Sequence, residues 1–170
     1  MGHTLVTRFS PESHLWIHQL MQPFQANKIP FGRKCDREIA NAVLDYHITL
    51  FHWSKISDAY YLERIKNLKS SPFQVLVTGI HIMRAEEGSS LLFFSVEPKE
   101  NFANAQKNLI ETFDFISGFL HITLAVSLNH NEIDQIKQQI ESQISFPVLM
   151  DVEGFDLYEI WTPTRKVKSL

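Results

Sequence analysis

Two copies of one tetrapeptide carry the side chains of this chain best suited to chemistry: His47-Ile48-Thr49-Leu50 and His121-Ile122-Thr123-Leu124. Both lie in short apolar runs of the kind that form buried strands. Side chains at i and i+2 of a strand share a face, so each copy presents an imidazole and a hydroxyl on one side and Ile and Leu on the other. Two such faces turned together would enclose two histidines and two threonines. Histidine is the side chain whose ordinary pKa, about 6.5, lies nearest neutrality. Across a phosphorus centre, one neutral imidazole takes a proton from the attacking water while a second, protonated, gives one to the leaving alkoxide. Each role is typically worth on the order of 10²- to 10⁴-fold in rate. Threonine hydroxyls would donate hydrogen bonds to the non-bridging oxygens, where negative charge must be held. The scheme calls for no metal, no cofactor and no covalent enzyme intermediate.

The elements that must position these residues repeat. Residues 4–9 read as a strand, with Ser10 as N-cap and Pro11 as first residue of a helix that carries Trp16, Ile17, Leu20, Met21 and Phe24 and weakens at Pro23. A polar stretch from Gln25 to about Arg37 precedes the first motif strand. Ser57 then opens a helix with Tyr61, Leu62, Ile65 and Leu68 on one face, and a strand from Phe73 to Met83 ends at the turn Glu86-Glu87-Gly88-Ser89. The second half runs in the same order. It has a strand from Leu91 to Val96, a helix from Pro98 bearing Phe102, Ala105, Leu109 and Phe113, and the second motif strand. A helix with Ile133, Ile136, Ile140 and Ile144 follows, then a strand region from Phe146 to Trp161 that Gly154 is expected to break. The pattern is βαβαβ twice, with the motif on the middle strand each time. A duplicated unit explains both the repeated letters and their equivalent places. It predicts one domain over residues 1–170, with sequence halves of about 1–86 and 87–170 related by a pseudo-twofold axis and a cleft between two lobes.

Two H-x-T-h motifs (h apolar) on duplicated α+β lobes resemble the 2H phosphoesterase superfamily, which includes the 2′-5′ RNA ligases and cyclic nucleotide phosphodiesterases. The separation of the histidines, 121 − 47 = 74 residues, is compatible with it. Phe155-Asp156-Leu157-Tyr158 is also similar to the C-terminal strand of that family, which often carries a Leu-Tyr pair. The resemblance implies an α+β fold of two lobes, each a small, mainly antiparallel sheet with helices on its outer face. It implies hydrolysis, or its reversal, at 2′,3′-cyclic phosphates or 2′-5′ linkages of a nucleotide or RNA end. By matching positions, His47 and His121 are the acid/base pair and Thr49 and Thr123 the phosphate clamp. RNA-ligase-like members often place an arginine after the second motif, where this chain has Ala125-Val126-Ser127. They tend to follow the first motif with Leu-Gly, where this chain has Phe51-His52-Trp53. These departures touch the substrate and leave the phosphate chemistry intact.

Composition narrows the partners. The formal net charge of −3 argues against a long duplex, whose phosphates would call for a basic surface. No apolar run approaches the roughly 20 residues that span a bilayer, and no basic-then-apolar start suggests a secretory signal. Cys35 is the only cysteine, which excludes an internal disulfide and fits a reducing cytoplasm.

A lone histidine in an apolar strand is ordinarily a satisfied core residue. The threonine at i+2 in both copies is what moves His47, Thr49, His121 and Thr123 to the catalytic reading. Phe51 and Trp53 share the expected face of His47 and are candidates to stack on a base, or else to pack between lobes. Tyr158 is a weaker candidate for the ligand, on the family likeness alone. His81 lies in an alternating strand and is assigned to neither face. Arg8, Arg33 and Lys34 are cations that could help hold a phosphate, though such residues are more often solvated surface charges. His47 and His52 have a spacing that binds metal on a helix but diverges on a strand, so no metal site is expected. A second class of function fits the same pocket: a module that holds a nucleoside monophosphate without turning it over.

Overall fold

The computed structural model describes residues 2–25, 46–53, 63, 71–86, 88–104, 107, 120–160 and 165–169. The elements are β1 (Gly2–Phe9), α1 (Pro11–Gln25), β2 (Thr49–Trp53), β3 (Phe73–Arg84), β4 (Ser90–Pro98), β5 (His121–Ser127), α2 (His130–Gln143), β6 (Val148–Ile160) and β7 (Arg165–Ser169). Residues 100–104 are also helical. The expected loop after Gln25, the helix from Ser57, and Ala105, Leu109 and Phe113 lie outside the described residues. No helix among the described residues is long and apolar enough to cross a membrane.

Local chemistry sets the element ends. Ser10 caps α1 through its hydroxyl, which accepts from the Ser13 amide at 3.2 Å. The Ser13 hydroxyl accepts from the Asp151 amide at 2.9 Å, which ties the start of α1 to β6. Asn129 caps α2 by accepting from the Glu132 amide. The β3–β4 hairpin turns where expected. There Gly88 has φ +89°, a left-handed conformation that a Cβ would strain. Pro23 lies inside α1, two residues before its last residue, and removes the amide that would donate to the Gln19 carbonyl.

The strands form one sheet in the order β2-β1-β6-β3-β4-β5, with β7 beside β6, and every pairing is antiparallel. The α+β class and the antiparallel sheet are as expected. The pairing joins strands of both sequence halves in one continuous sheet. Each sequence half gives its last strand to the other: β3 pairs with β4, and β6 pairs with β1. The sheet order reads the same from both ends if β1, β2 and β6 are matched to β4, β5 and β3. The two sets join where Phe73–Val77 pairs with Val148–Val152, centred on Val75 opposite Met150. The ends of the path also meet, through an isolated antiparallel bridge between Ile48 and Ile122, so the sheet is nearly a closed barrel.

That near-closure carries a belt of side chains in register. Ile80 faces Phe94, Phe94 faces Ile122, Ile122 bridges to Ile48, and Thr7 faces Phe155. Thr7 completes the ring, because its amide donates to the Ile48 carbonyl at 3.0 Å and its hydroxyl accepts from the Ile48 amide at 2.9 Å. None of the six is more than 3 % exposed. Each Ile or Phe so buried contributes about 1.5–3 kcal/mol. The helices cover this core with Ile17, Met21 and Phe24 of α1, Ile133, Ile136 and Ile140 of α2, and Phe102. Trp16 of α1 stacks on Phe94 with ring centroids 5.8 Å apart.

Candidate active site

Because Ile48 and Ile122 are buried in the belt, their chain neighbours project to the other side of the strands. His47, His121 and Thr123 are half-buried and Thr49 is exposed. The bridge between the two isoleucines is antiparallel. Continued one residue either way, it sets His47 opposite Thr123 and Thr49 opposite His121. Facing residues in such a pair have Cβ atoms about 4.5–5.5 Å apart, and diagonal ones about 7–8 Å. The histidines are the diagonal pair. That spacing leaves room for one tetrahedral anion between two imidazoles, with a hydroxyl of the opposite copy beside each ring.

Both motifs end in the same irregularity. The β1–β2 register steps from Leu5↔Phe51 to Val6↔Thr49, which leaves Leu50 as an extra residue. The β4–β5 register steps from Leu92↔Ala125 to Phe93↔Thr123, which leaves Leu124 extra. A bulge increases local twist and re-aims the residues next to it, and here it falls immediately after each threonine. The neighbouring strands match as well. Glu153 is extra opposite Arg8–Phe9, and Thr78 is extra opposite Ser95–Val96. Four bulges at equivalent places are the strongest structural sign of duplication.

The bulge at Leu50 also changes one expectation. Alternation counted from His47 carried Phe51 and Trp53 onto its face, but the extra residue interrupts that count. Their backbone partners are Leu5 and His3, and Leu5 belongs to the buried core. The side chains of Phe51 and Trp53 lie outside the described residues. Tyr158 is half-buried, opposite Thr4 on β1, and two residues from Asp156. Asp156 faces Val6, which faces Thr49, so Tyr158 shares the first-motif face.

Arg8 does not stand free for a phosphate. Its Nη1 donates to Asp156 Oδ1 at 2.5 Å and to the Phe155 carbonyl at 3.4 Å, and its Nε lies 3.9 Å from Glu153 Oε2. Asp156 is only 5 % exposed, so this pair neutralises a buried carboxylate. Arg8→Ala should therefore lower unfolding stability by about 2–3 kcal/mol, measured by urea denaturation, because the carboxylate stays buried without its cation. Arg33 and Lys34 lie outside the described residues.

Sequence reading left one neighbour unassigned. His81 faces Phe93, which faces Thr123, and Gly79 faces Ser95, which faces His121. His81 is thus on the face of the second motif. The Phe93 ring lies edge-on to His121 at 5.5 Å and tilted against His81 at 5.7 Å. The signal that would have found it is the duplication: His81 occupies the place of Asp156 in the other half.

No family model and no curated protein matches the sequence. Solved structures do match its fold. TT0787 of Thermus thermophilus is 17 % identical with a TM-score of 0.58, over 100 % of this chain and 97 % of that one. E. coli LigT, solved in complex with 3′-AMP, is 15 % identical with a TM-score of 0.51, over 99 % and 93 %. Kluyveromyces marxianus Usb1 is 11 % identical with a TM-score of 0.50, over 98 % and 97 %. These neighbours are 2H phosphoesterase superfamily members. This chain has the 2H phosphoesterase fold.

Proposed function

We propose that this protein is a phosphoesterase that opens a 2′,3′-cyclic phosphate, or cleaves a 2′-5′ linkage, at a nucleotide or RNA end. The observation that carries the reading is the Ile48–Ile122 bridge, which brings the two H-x-T-L motifs side by side and antiparallel. The 2H phosphoesterase fold supports it, as does the binding of 3′-AMP and of phosphate by LigT.

In this reading the phosphate sits between His47 and His121. One imidazole, neutral, removes a proton from water as the water oxygen bonds to phosphorus. The other, protonated, gives its proton to the ribose oxygen as the P–O bond to that oxygen breaks. The enzyme finishes with the two protonation states exchanged, and solvent restores them. Thr49 and Thr123 donate to the non-bridging oxygens, which gain charge as phosphorus becomes five-coordinate. Tyr158, on the first-motif face, contacts the ligand, and Phe51 and Trp53, whose side chains lie outside the described residues, stay candidates for contact with it. No step is assigned to a metal or cofactor. The lone Cys35 suits a reducing, cytoplasmic setting for this activity, carried by one domain over residues 1–170.

Incubation with a panel of 2′,3′-cyclic nucleotides and 2′-5′ dinucleotides, resolving 2′- from 3′-phosphate products, tests the reaction. Turnover is expected to be undiminished by EDTA. Its pH–rate profile should be bell-shaped, because the base must be neutral and the acid protonated at once. Binding of nucleoside monophosphates with no turnover of any member would instead identify a non-catalytic nucleotide-binding module.

A further inference from the structure

We infer that His81 forms a nucleobase subsite on the second-motif side of the cleft, which orients the substrate in an otherwise pseudo-symmetric site. The inference rests on the reading of the cleft as a nucleotide site and extends it to residues outside the motifs.

His81 is exposed, yet its ring is held in place. One flank packs on Phe93. Its Nε2 lies 3.1 Å from Ser95 Oγ. The Ser95 hydroxyl donates to the Gly79 carbonyl at 3.3 Å and lies 3.0 Å from Thr78 Oγ1. With its own proton directed at Gly79, Ser95 is free to accept from a protonated His81 Nε2. Gly79 makes room for this arrangement: a Cβ there would lie 2.9 Å from His81 Nε2. A side chain pinned by a hydroxyl network, over a residue that only glycine can occupy without displacing it, is a built feature rather than a solvated surface group.

Its surroundings select the ligand. One side of His81 borders a pocket whose other lining residues are Ile82, Arg84, Asp134, Lys137, Gln138 and Glu141, while on its own strand face Met83, two residues on and 54 % exposed, lies opposite half-buried Leu91. The nearby cations are already engaged: Arg84 Nη2 lies 3.1 Å from Asp134 Oδ2, and Lys137 Nζ lies 2.5 Å from Glu141 Oε1. A second phosphate would find little free positive charge there. A planar base would find an aromatic ring and apolar neighbours, the combination that proteins use to stack unpaired bases. The Phe93 ring touches both His81 and His121, so a phosphate at His121 would leave its base within a sugar's reach of His81. The equivalent place in the first half holds Asp156 clamped by Arg8, a carboxylate in place of the imidazole, with Tyr158 two residues further on. The two motif faces therefore differ at this position, and the base that His81 holds lies on the second-motif side.

The test is equilibrium binding by calorimetry of adenosine 3′-monophosphate and of a base-free methyl riboside 3-phosphate to the wild type, His81→Ala and His81→Phe. Turnover is followed in parallel. The preference for the nucleotide over the base-free ligand should fall roughly tenfold in His81→Ala and return in His81→Phe. Gly79→Ala, which pushes on the His81 ring, should reproduce much of the loss. An unchanged preference in His81→Ala would overturn the subsite. Loss of preference in a protein that binds the nucleotide but turns over no cyclic substrate would sustain the subsite and remove the catalytic reading.

Discussion

Replacing either His47 or His121 by Ala should lower kcat on a 2′,3′-cyclic nucleotide by about 10²- to 10⁴-fold, with the protein still folded and still binding product. The effect is large because an imidazole acts in the transition state, where a proton is in flight, and contributes far less to ground-state affinity. KM should therefore change little beside kcat. The double variant should be barely slower than the worse single one, because loss of either partner already forces the remaining proton transfer onto water. The pH–rate profile adds a second readout: each single variant should lose one limb of the bell. Both belt isoleucines, Ile48 and Ile122, are fully buried beside these positions, so the backbone that carries the histidines does not depend on the imidazoles for its packing. Activity that survives both substitutions would remove the acid/base pair.

Phe94→Ala should be the most damaging single change to stability, at about 3–5 kcal/mol in chemical denaturation. Phe94 is 0 % exposed, lies between Ile80 and Ile122 in the belt, and stacks on Trp16. Its removal opens a cavity where β3, β4, β5 and α1 meet, and the rigid sheet closes over such a cavity only in part. The denaturation midpoint should fall with little change in slope, since the surface exposed on unfolding is nearly the same. Substitution of the exposed Met83 on β3 by Ala should cost far less in the same measurement, because that side chain is half in solvent to begin with.

Much of this was legible in the sequence because periodicity reports faces. The His-x-Thr spacing on two apolar strands, the Ile133/Ile136/Ile140 stripe of α2 and the Ser10 cap each follow from local rules. Strand pairing is another matter. Alternation says which side of a strand is buried but not which strand lies beside it, so the exchange of β3 and β6 between the halves was not readable. Bulges escape for a related reason. One extra residue at Leu50 or Leu124 leaves the letters unremarkable while moving every later side chain relative to the count. Hence the alternation counted from His47 does not carry past Leu50 to Phe51 and Trp53, whereas the spacing of His47 and Thr49 lies upstream of the bulge. The expected break at Gly154 became a bulge at Glu153 in a continuous β6, since β1 pairs on both sides of it. Arg165–Ser169 has three cations and one apolar residue, a weak strand pattern, and it is a strand because β6 offers an edge to pair with. His81 was ambiguous alone and gained a place only once its cross-strand partner was known.

The most direct test of a shared phosphate is a titration of the histidine side-chain ¹⁵N signals with a nucleoside monophosphate, the two rings assigned by substitution. The His47 and His121 signals should move together and saturate at one ligand per chain. Movement of one ring alone, or two saturations at different concentrations, would mean that the imidazoles do not grip one phosphoryl group.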